Sequence, residues 1–379
     1  MNILYRILIF TLMIAFNISA KPNCDVNNSM GKMFSTPFEE SSKQNVPIEV
    51  FSQTHEATNL QSVFSPDGKY FVCPGKKCLN IWDWKARNLI SSLDISQANY
   101  VAFSKNGRYL AACERYFHKV LKIWDFPKRR EILSCEGYGT LGIHGNLVKT
   151  DFRYLLFTPD NDYLLSLEAT GFINFWDLNR LNRVFIIDTQ CYLYDINISS
   201  DGKWIAAVGE NSEENICLFL WDYNSKKLIH KIKLGTDGVT FGLAFTNDSK
   251  SVTCSAANVI ITFDTENGKE IKRSDKLNGS IRHIVYSSNG KYLVCIEDIT
   301  LLNKDWENWS GRWEVDIVIF DTESLKCIKR YHNQAEPSKE LNSNGRYLHL
   351  AFSPDGKYMA VSCEDRTMIW KTPKILYEK

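Results

Sequence analysis

The sequence lacks a charge excess of either sign. Its 379 residues carry 45 lysines and arginines against 44 aspartates and glutamates, which leaves a formal net charge of +1. Proteins that bind nucleic acid or anionic membranes through their electrostatic field usually show a basic excess. The composition therefore gives no support for a nucleic-acid partner, and we expect none.

A hydrophobic run long enough to cross a membrane is also missing. The apolar segment 7–16 follows the basic residue Arg6 and precedes a small residue, Ala20. At about ten residues it is roughly half the length that spans a bilayer, but it is typical of a signal peptide. We expect residues 1–20 to be cleaved and the chain to be periplasmic or secreted, with no membrane span after cleavage. The alternative is a cytoplasmic protein whose first segment is not a true signal.

The cysteines do not occur in paired spacings. There are 11, an odd number, and no Cys-x-x-Cys pair or Cys/His cluster with zinc spacing is present. This pattern is unlike a disulfide framework or a zinc site, so we expect most thiols to be buried as small hydrophobic groups. The cysteines expected near the second strand of a repeated unit are Cys73, Cys113, Cys254, Cys295 and Cys363. A bridge between Cys73 and Cys78, which flank a short turn, remains an alternative.

Sequence signatures of common catalytic sites are missing as well. We find no Gly-x-Ser-x-Gly elbow, phosphate-binding loop or His-Glu-x-x-His helix. The seven histidines show no spacing that would bring two ligands to one metal ion. The sequence therefore predicts neither a cofactor nor a metal site and no catalytic residues.

What the chain does contain is one motif repeated seven times. An aromatic or aliphatic residue leads into a Ser/Thr-x-Asp/Asn-Gly turn, with Asn161 and Ser249 in place of two of the glycines. The leading residues are Phe64, Phe103, Phe157, Ile198, Phe245, Tyr286 and Phe352. A closing pair follows each turn: Trp82-Asp83, Trp124-Asp125, Trp176-Asp177, Trp221-Asp222, Phe263-Asp264, Phe320-Asp321 and the variant Trp370-Lys371. Because one such unit cannot bury its own apolar face, the repeat predicts stacked units with a shared core.

The first unit shows what each repeat contains. Four β-prone stretches, 61–65, 70–73, 79–82 and 88–94, are separated by turn residues. They predict four antiparallel strands, which we label a to d. Pro66, Asp67 and Gly68 suit a tight turn between strands a and b, since proline presets φ and glycine accepts a positive φ.

Repeats of four short strands with a Trp-Asp signature resemble the WD-repeat family, in the subtype with Ser-Pro-Asp-Gly turns. The resemblance covers residues 46–372, although Lys371 replaces the seventh aspartate and the Gly-His dipeptide common in the family is missing. It implies an all-β, seven-bladed β-propeller with four antiparallel strands per blade. The expected organisation is a signal peptide at 1–20, a flexible leader at 21–45 and the propeller at 46–379.

The two ends of the repeat array predict how the ring closes. The last unit supplies strands a, b and c, whereas segment 47–54 resembles an isolated strand d before the first unit. Placing this N-terminal strand on the outer edge of the last blade would complete the blade and remove an open sheet edge.

The variable segments point to one face of the propeller. Because neighbouring strands alternate in direction, the a–b and c–d turns share one face, which we call the turn face. The b–c and d–a loops share the opposite face, the loop face. The insertions are the long b–c loop of the sixth unit, the shorter b–c loop of the second unit and the d–a segments 136–151 and 333–346, which all belong to the loop face. Loops on a rigid scaffold often carry binding residues.

The insertions are rich in aromatic residues and histidine. Tryptophan and tyrosine are enriched at interface hot spots, so we expect a partner-binding face. The candidate residues are Tyr116, Phe117, His118, Tyr138, His144, Trp306, Trp309 and Trp313. The alternative is that these side chains only cover their own loops. We interpret the protein as an exported, monomeric, non-enzymatic scaffold for a protein or peptide. The alternative function is a propeller enzyme of the lyase or lactonase type, or a metal or cofactor site at the channel mouth.

Overall fold

The computed structural model describes thirteen segments of the chain: 49–54, 61–75, 78–96, 98–114, 119–137, 139–141, 147–149, 151–168, 170–235, 242–299, 314–334, 347–363 and 366–377. All of them lie within one compact unit, Asn45–Lys379. In these segments no helix is long and apolar enough to cross a membrane. Within these thirteen segments the regular structure is almost entirely β, with one 3-10 turn at Lys374–Leu376.

Seven four-stranded antiparallel sheets form the seven blades of a propeller. Blade 1 contains β2 (Val63–Phe64), β3 (Phe71–Pro74), β4 (Cys78–Asp83) and β5 (Asn88–Asp94). Blade 2 contains β6 (Ala98–Phe103), β7 (Tyr109–Glu114), β8 (Val120–Asp125) and β9 (Arg130–Glu136). Blade 3 contains β12 (Phe152–Phe157), β13 (Tyr163–Glu168), β14 (Phe172–Asp177) and β15 (Asn182–Asp188). Blade 4 contains β16 (Tyr192–Ile198), β17 (Trp204–Glu210), β18 (Ile216–Asp222) and β19 (Leu228–Gly235).

The remaining blades follow the same order of strands a to d. Blade 5 contains β20 (Leu243–Phe245), β21 (Ser251–Ala256), β22 (Val259–Asp264) and β23 (Glu270–Arg273). Blade 6 contains β24 (Ser280–Tyr286), β25 (Tyr292–Asp298), β26 (Glu314–Asp321) and β27 (Cys327–Gln334). Blade 7 contains β28 (Tyr347–Phe352), β29 (Tyr358–Cys363), β30 (Arg366–Lys371) and β1 (Glu49–Thr54). Between blades 2 and 3, β10 (Gly139–Leu141) and β11 (Leu147–Lys149) pair as a separate hairpin.

The a–b turns repeat one hydrogen-bonding pattern. In blade 4 the Ser199 hydroxyl donates to the Asp201 carboxylate at 2.6 Å and accepts the Trp204 N–H at 2.9 Å. The fourth residue of the turn, the glycine position, has a left-handed backbone, for example φ of 71° at Gly202. Asn161 and Ser249 adopt the same conformation, with φ of 63° and 61°. The turn therefore keeps its geometry even where glycine is replaced, at some steric cost for the serine.

The hydrophobic core lies between neighbouring blades, and the seam that joins the last blade to the first has a core of its own. Phe64 and Phe71 of blade 1 pack there with Ala360 and Ile369 of blade 7. The other six seams have equivalent apolar clusters. Each blade thus buries its apolar faces against both neighbours, as expected for stacked repeats.

The N-terminal strand completes the last blade, as the sequence predicted. β1 pairs antiparallel with β30, with Phe51 opposite Ile369 and Gln53 opposite Thr367. Blade 7 keeps this third strand even though Lys371 stands where the other repeats have aspartate. The ring is therefore closed by joining its first and last segments in one sheet.

The cysteines of the second strands are buried free thiols. This holds for Cys73, Cys113, Cys254 and Cys295, while the side chain of Cys363 lies outside the described part. Burial raises the pKa of the Cys73 thiol to about 12. The alternative of a Cys73–Cys78 bridge is wrong for this structure. The register places Cys73 opposite Asn80, and the Cys78 thiol donates to the Asn80 side-chain oxygen at 3.3 Å.

Candidate functional site

Strand a of every blade begins at the loop face, because it follows a d–a connection. The longest connections that leave the blades at this face are the b–c segment between β25 and β26, and the d–a segments between β9 and β12 and between β27 and β28. The turns at the opposite face join their strands through short, similar segments. The two faces therefore differ in the length and composition of their connections.

The eight residues that the sequence nominates for partner binding lie outside the described residues. They are Tyr116, Phe117, His118, Tyr138, His144, Trp306, Trp309 and Trp313. Their role as a binding surface stays a prediction. The described part of the loop face includes the first residues of strand a, the inner strand of each blade, together with the last residues of strands b and d and the first residues of strand c.

A bulge recurs near the start of strand a and shapes this surface. In blades 2, 3, 4, 6 and 7 one extra residue stands between two paired ones: Asn99, Arg153, Tyr194, Arg282 and Leu348. A β-bulge re-aims a side chain and often occurs next to functional sites. The residues that follow these bulges are Tyr100, Tyr154, Asp195, His283 and His349. A polar or aromatic residue thus follows the bulge at the loop-face end of each of these blades.

Blades 2 to 4 together carry an aromatic cluster at this end. The rings of Tyr100 and Tyr154 lie 4.7 Å apart, and those of Tyr192 and Tyr194 lie 5.3 Å apart. The guanidinium of Arg153 lies 4.3 Å from the centre of the Tyr192 ring. Tyr192 is 40% exposed, so this stack reaches solvent. Sequence reasoning missed these residues, although aligning the seven turns shows two tyrosines three residues before the strand-a aromatic.

Tyr194 is held by an acidic neighbour. Its hydroxyl donates to the Glu210 carboxylate at 2.7 Å. Burial, together with this bond, raises the pKa of the Tyr194 hydroxyl, so it stays a neutral donor. The hydrogen bond to Glu210 therefore fixes the position of the Tyr194 ring within the aromatic cluster.

Asp195 is a buried carboxyl group that links two blades. Burial raises its pKa well above the ordinary range, an effect opposed by the backbone N–H groups of Ile196 and Leu243. Two residues on, the Asn197 amide donates to the Leu243 carbonyl at 3.2 Å. Both side chains thus form hydrogen bonds with the backbone of β20, the first strand of blade 5. This indicates a structural role between blades 4 and 5.

Two histidines meet at the seam between blades 6 and 7. The rings of His283 and His349 have centres 4.2 Å apart, and the Leu350 N–H donates to His283 Nδ1 at 3.4 Å. Loss of water lowers the pKa of His283 to about 4 and that of His349 well below its ordinary value, with His283 adding to the second shift. Among the described residues, the buried Nδ1 of His349 has no hydrogen-bond partner. The pair is therefore neutral near pH 7.

This pair predicts a loss of stability in mild acid. The pKa of His283 is depressed in the folded protein, so the unfolded chain binds more protons below pH 6.5, and stability falls as the pH drops. We expect the free energy of unfolding to decrease by about 1 kcal/mol between pH 6.5 and 5.5 on account of His283. Denaturant unfolding across this range should show that the free energy of unfolding depends less steeply on pH in His283→Gln than in the wild type. Equal slopes for the wild type and His283→Gln would contradict this assignment.

Blade 6 contains an ion-pair network on the strands that flank the long b–c segment. The Arg330 guanidinium donates to Asp316 at 2.6 Å and to Glu297, and the Gly279 N–H donates to Glu297 at 2.7 Å. Glu297 is fully buried. Burial alone would lower the pKa of the Arg330 guanidinium. The hydrogen bonds to Asp316 and Glu297 outweigh this effect and raise that pKa. The network joins β25 and β26, between which the long b–c segment runs, to β27.

The described residues offer little for metal chemistry. Within the segments given above, no group of three or more histidine, cysteine, aspartate or glutamate side chains is arranged to hold a metal ion. At the loop face the described residues instead offer exposed aromatic surface, the guanidinium of Arg153 over the Tyr192 ring and several fixed hydrogen-bonding groups. Such groups are suited to molecular recognition.

Comparisons with known proteins agree with the repeat pattern. The family model for the WD domain, G-beta repeat, matches residues 336–370. The chain is similar to nuclear distribution protein nudF of Aspergillus niger, with 22% identity over 66% of this chain and 59% of that protein. It is also 22% identical to WD repeat-containing protein 1-B of Xenopus laevis, over 79% of this chain and 51% of that protein. Both matches leave two fifths or more of the relative's length uncovered.

Proposed function

This chain is a WD-repeat β-propeller, and from that premise we propose that it is a non-enzymatic scaffold that binds a protein partner through its loop face. The related proteins suggest a protein-interaction role of this general kind. A propeller holds its loops on a closed and densely packed ring, so a binding surface built on them needs little ordering when it meets a partner.

The observation that carries the proposal is the difference between the two faces. The turn face repeats one short turn, while the loop face carries the long connections and the exposed Tyr192–Arg153 stack. Tyrosine, tryptophan and arginine are the residue types that dominate binding energy at protein interfaces. Arg153 and Tyr192 lie together on this face, and the sequence of its insertions contains Trp306, Trp309 and Trp313.

Alanine substitutions on the loop face test this function. We expect Tyr192→Ala, Phe117→Ala, Trp306→Ala and Trp313→Ala each to weaken partner binding by about 1–3 kcal/mol, the range for truncated hot-spot aromatics. The partner is isolated first by affinity capture on the wild type, and its affinity for each variant is then measured by calorimetry. Unfolding curves recorded in parallel separate loss of binding from loss of fold.

Lys128→Ala is the control for these variants. Lys128 lies on the turn face with 68% of its side chain exposed, so its removal should change neither affinity nor stability. If the four loop-face variants unfold the protein while each folded molecule binds as before, the aromatic residues serve the fold and the proposal fails.

We also propose export, on the basis of the apolar segment 7–16 and Ala20. The mature protein is then expected to begin at Lys21, which the intact mass of protein purified from its native source would reveal. Full-length protein in the cytosolic fraction would contradict export without affecting the binding proposal.

A further inference from the structure

A side-chain pair recurs where strands a and b meet the loop face. In blade 6 the bulged residue Arg282 donates to Asp298 at 3.0 and 2.7 Å. In blade 4 the bulged residue Tyr194 donates to Glu210 at 2.7 Å. In both blades the acidic residue lies opposite the residue two positions before the bulge. The bulge therefore directs a donor towards an acid at the end of strand b.

In blade 3 the donor is present without its acid. The bulged residue is Arg153, and the register pairs Phe152 with Glu168. The next residue, Ala169, occupies the sequence position that corresponds to Asp298 in blade 6. An alanine side chain has no hydrogen-bond acceptor, so the repeat supplies Arg153 with no acid at this position.

Two acidic residues close to Arg153 in the blade, Asp151 and Glu168, are paired with other side chains. Asp151 pairs with Lys119 at 3.1 Å, and Glu168 accepts the Asn174 amide at 2.8 Å. Among the residues that the structure describes, the buried Nε atom of Arg153 has no hydrogen-bond partner. Leaving a charged donor unsatisfied costs more than leaving a neutral one, so the site gains from any acceptor that reaches it.

Arg153 is half-buried as a residue, so part of it faces solvent even though its Nε atom is buried. Its guanidinium is stacked on Tyr192, 4.3 Å from the ring centre, and Tyr192 is 40% exposed on the loop face. Stacking orients the guanidinium plane, and a guanidinium matches the two oxygens of a carboxylate better than an ammonium group does.

We propose that Arg153 and Tyr192 form a receptor for an aspartate or glutamate side chain of the protein partner. The inference rests on the proposed binding function of the loop face and names one chemical feature of its ligand. Arg153 bonds the carboxylate that its own blade does not provide, and the exposed Tyr192 ring packs against the neighbouring part of the partner segment.

Selection from a phage-displayed random dodecapeptide library tests this inference. Peptides selected on the wild type should be enriched in aspartate or glutamate at one position. Selection on Arg153→Glu should replace that preference with lysine or arginine. Arg180→Glu makes the same charge change in the same blade, on a turn-face side chain that is 75% exposed, and should keep the acidic preference. Thermal unfolding should be similar for the two charge-reversed proteins.

The selected peptides then provide a direct measure of the contact. Arg153→Ala should weaken binding of an acidic peptide about tenfold or more, as expected for a charge-assisted hydrogen bond. Changing the acidic residue of the peptide to its amide should cost a similar factor on the wild type and almost nothing on Arg153→Ala.

The outcomes distinguish this inference from the function on which it rests. Peptides whose binding is lost in Phe117→Ala or Trp306→Ala, but which show no acidic preference and bind Arg153→Glu normally, would overturn the Arg153 receptor alone. Peptides that bind every loop-face variant as well as the wild type would overturn the proposed function of the face.

Discussion

Deletion of residues 46–54 is expected to leave the protein aggregated or largely unfolded. These residues include β1, which pairs with β30 along five positions and completes blade 7. Its loss would expose the edge of β30 and weaken the seam where blades 7 and 1 share the cluster of Phe64, Phe71 and Ile369. An open strand edge is a template for aggregation, and repeat proteins depend on contacts between neighbouring units.

Deletion of residues 21–45 is the matched control for the closure of the ring. The sequence predicts a flexible leader there, so this shortened protein should keep the melting temperature of the parent protein. Light scattering and circular dichroism report both aggregation and unfolding. Similar behaviour of the two deletions would show that β1 does not close the ring energetically.

Arg330→Met is expected to lower the free energy of unfolding by about 3–5 kcal/mol, as removal of one partner from a buried ion pair does. The substitution would leave Glu297 fully buried and Asp316 almost so, without the cation that both contact. Denaturant unfolding measures the change. Adding Glu297→Gln and Asp316→Asn to Arg330→Met should recover part of the loss, because the two buried negative charges are removed.

An exposed ion pair gives the comparison for this network. Arg273 pairs with Glu270 at 2.7 Å, but their side chains are 49% and 39% exposed. Exposed pairs contribute about 0–1 kcal/mol, so Arg273→Met should have a small effect. If Arg330→Met and Arg273→Met destabilise the protein equally, the blade 6 network does not hold the strands that flank the long b–c segment.

The fold was predictable from the sequence because each repeat carries its own turn chemistry. Ser199 and Asp201 show how a hydroxyl and a carboxylate fix the turn that follows strand a, and the other six turns share the pattern. The closing strand was predictable for a related reason, since segment 47–54 was a strand without a unit of its own. These features depend on residues close together in the chain.

The described part of the functional surface was not predictable in the same way. His283 and His349 meet only because blades 6 and 7 are neighbours, and their sequence separation gave no sign of a pair. The importance of Arg153 depends on a bulge and on the register that pairs Phe152 with Glu168, and the sequence shows neither directly. The predicted aromatic residues of the long insertions, such as Phe117 and Trp306, lie outside the described residues and stay predictions.

Hydrogen exchange of the propeller with and without its captured partner tests the central claim most directly. Binding through the loop face predicts slower exchange at the starts of the inner strands, around Arg153 and Tyr192, and in the connections at 115–118 and 299–313. The a–b turns, such as the one from Ser199 to Gly202, should exchange at unchanged rates. Protection confined to the a–b and c–d turns, with the loop face unaffected, would contradict the account.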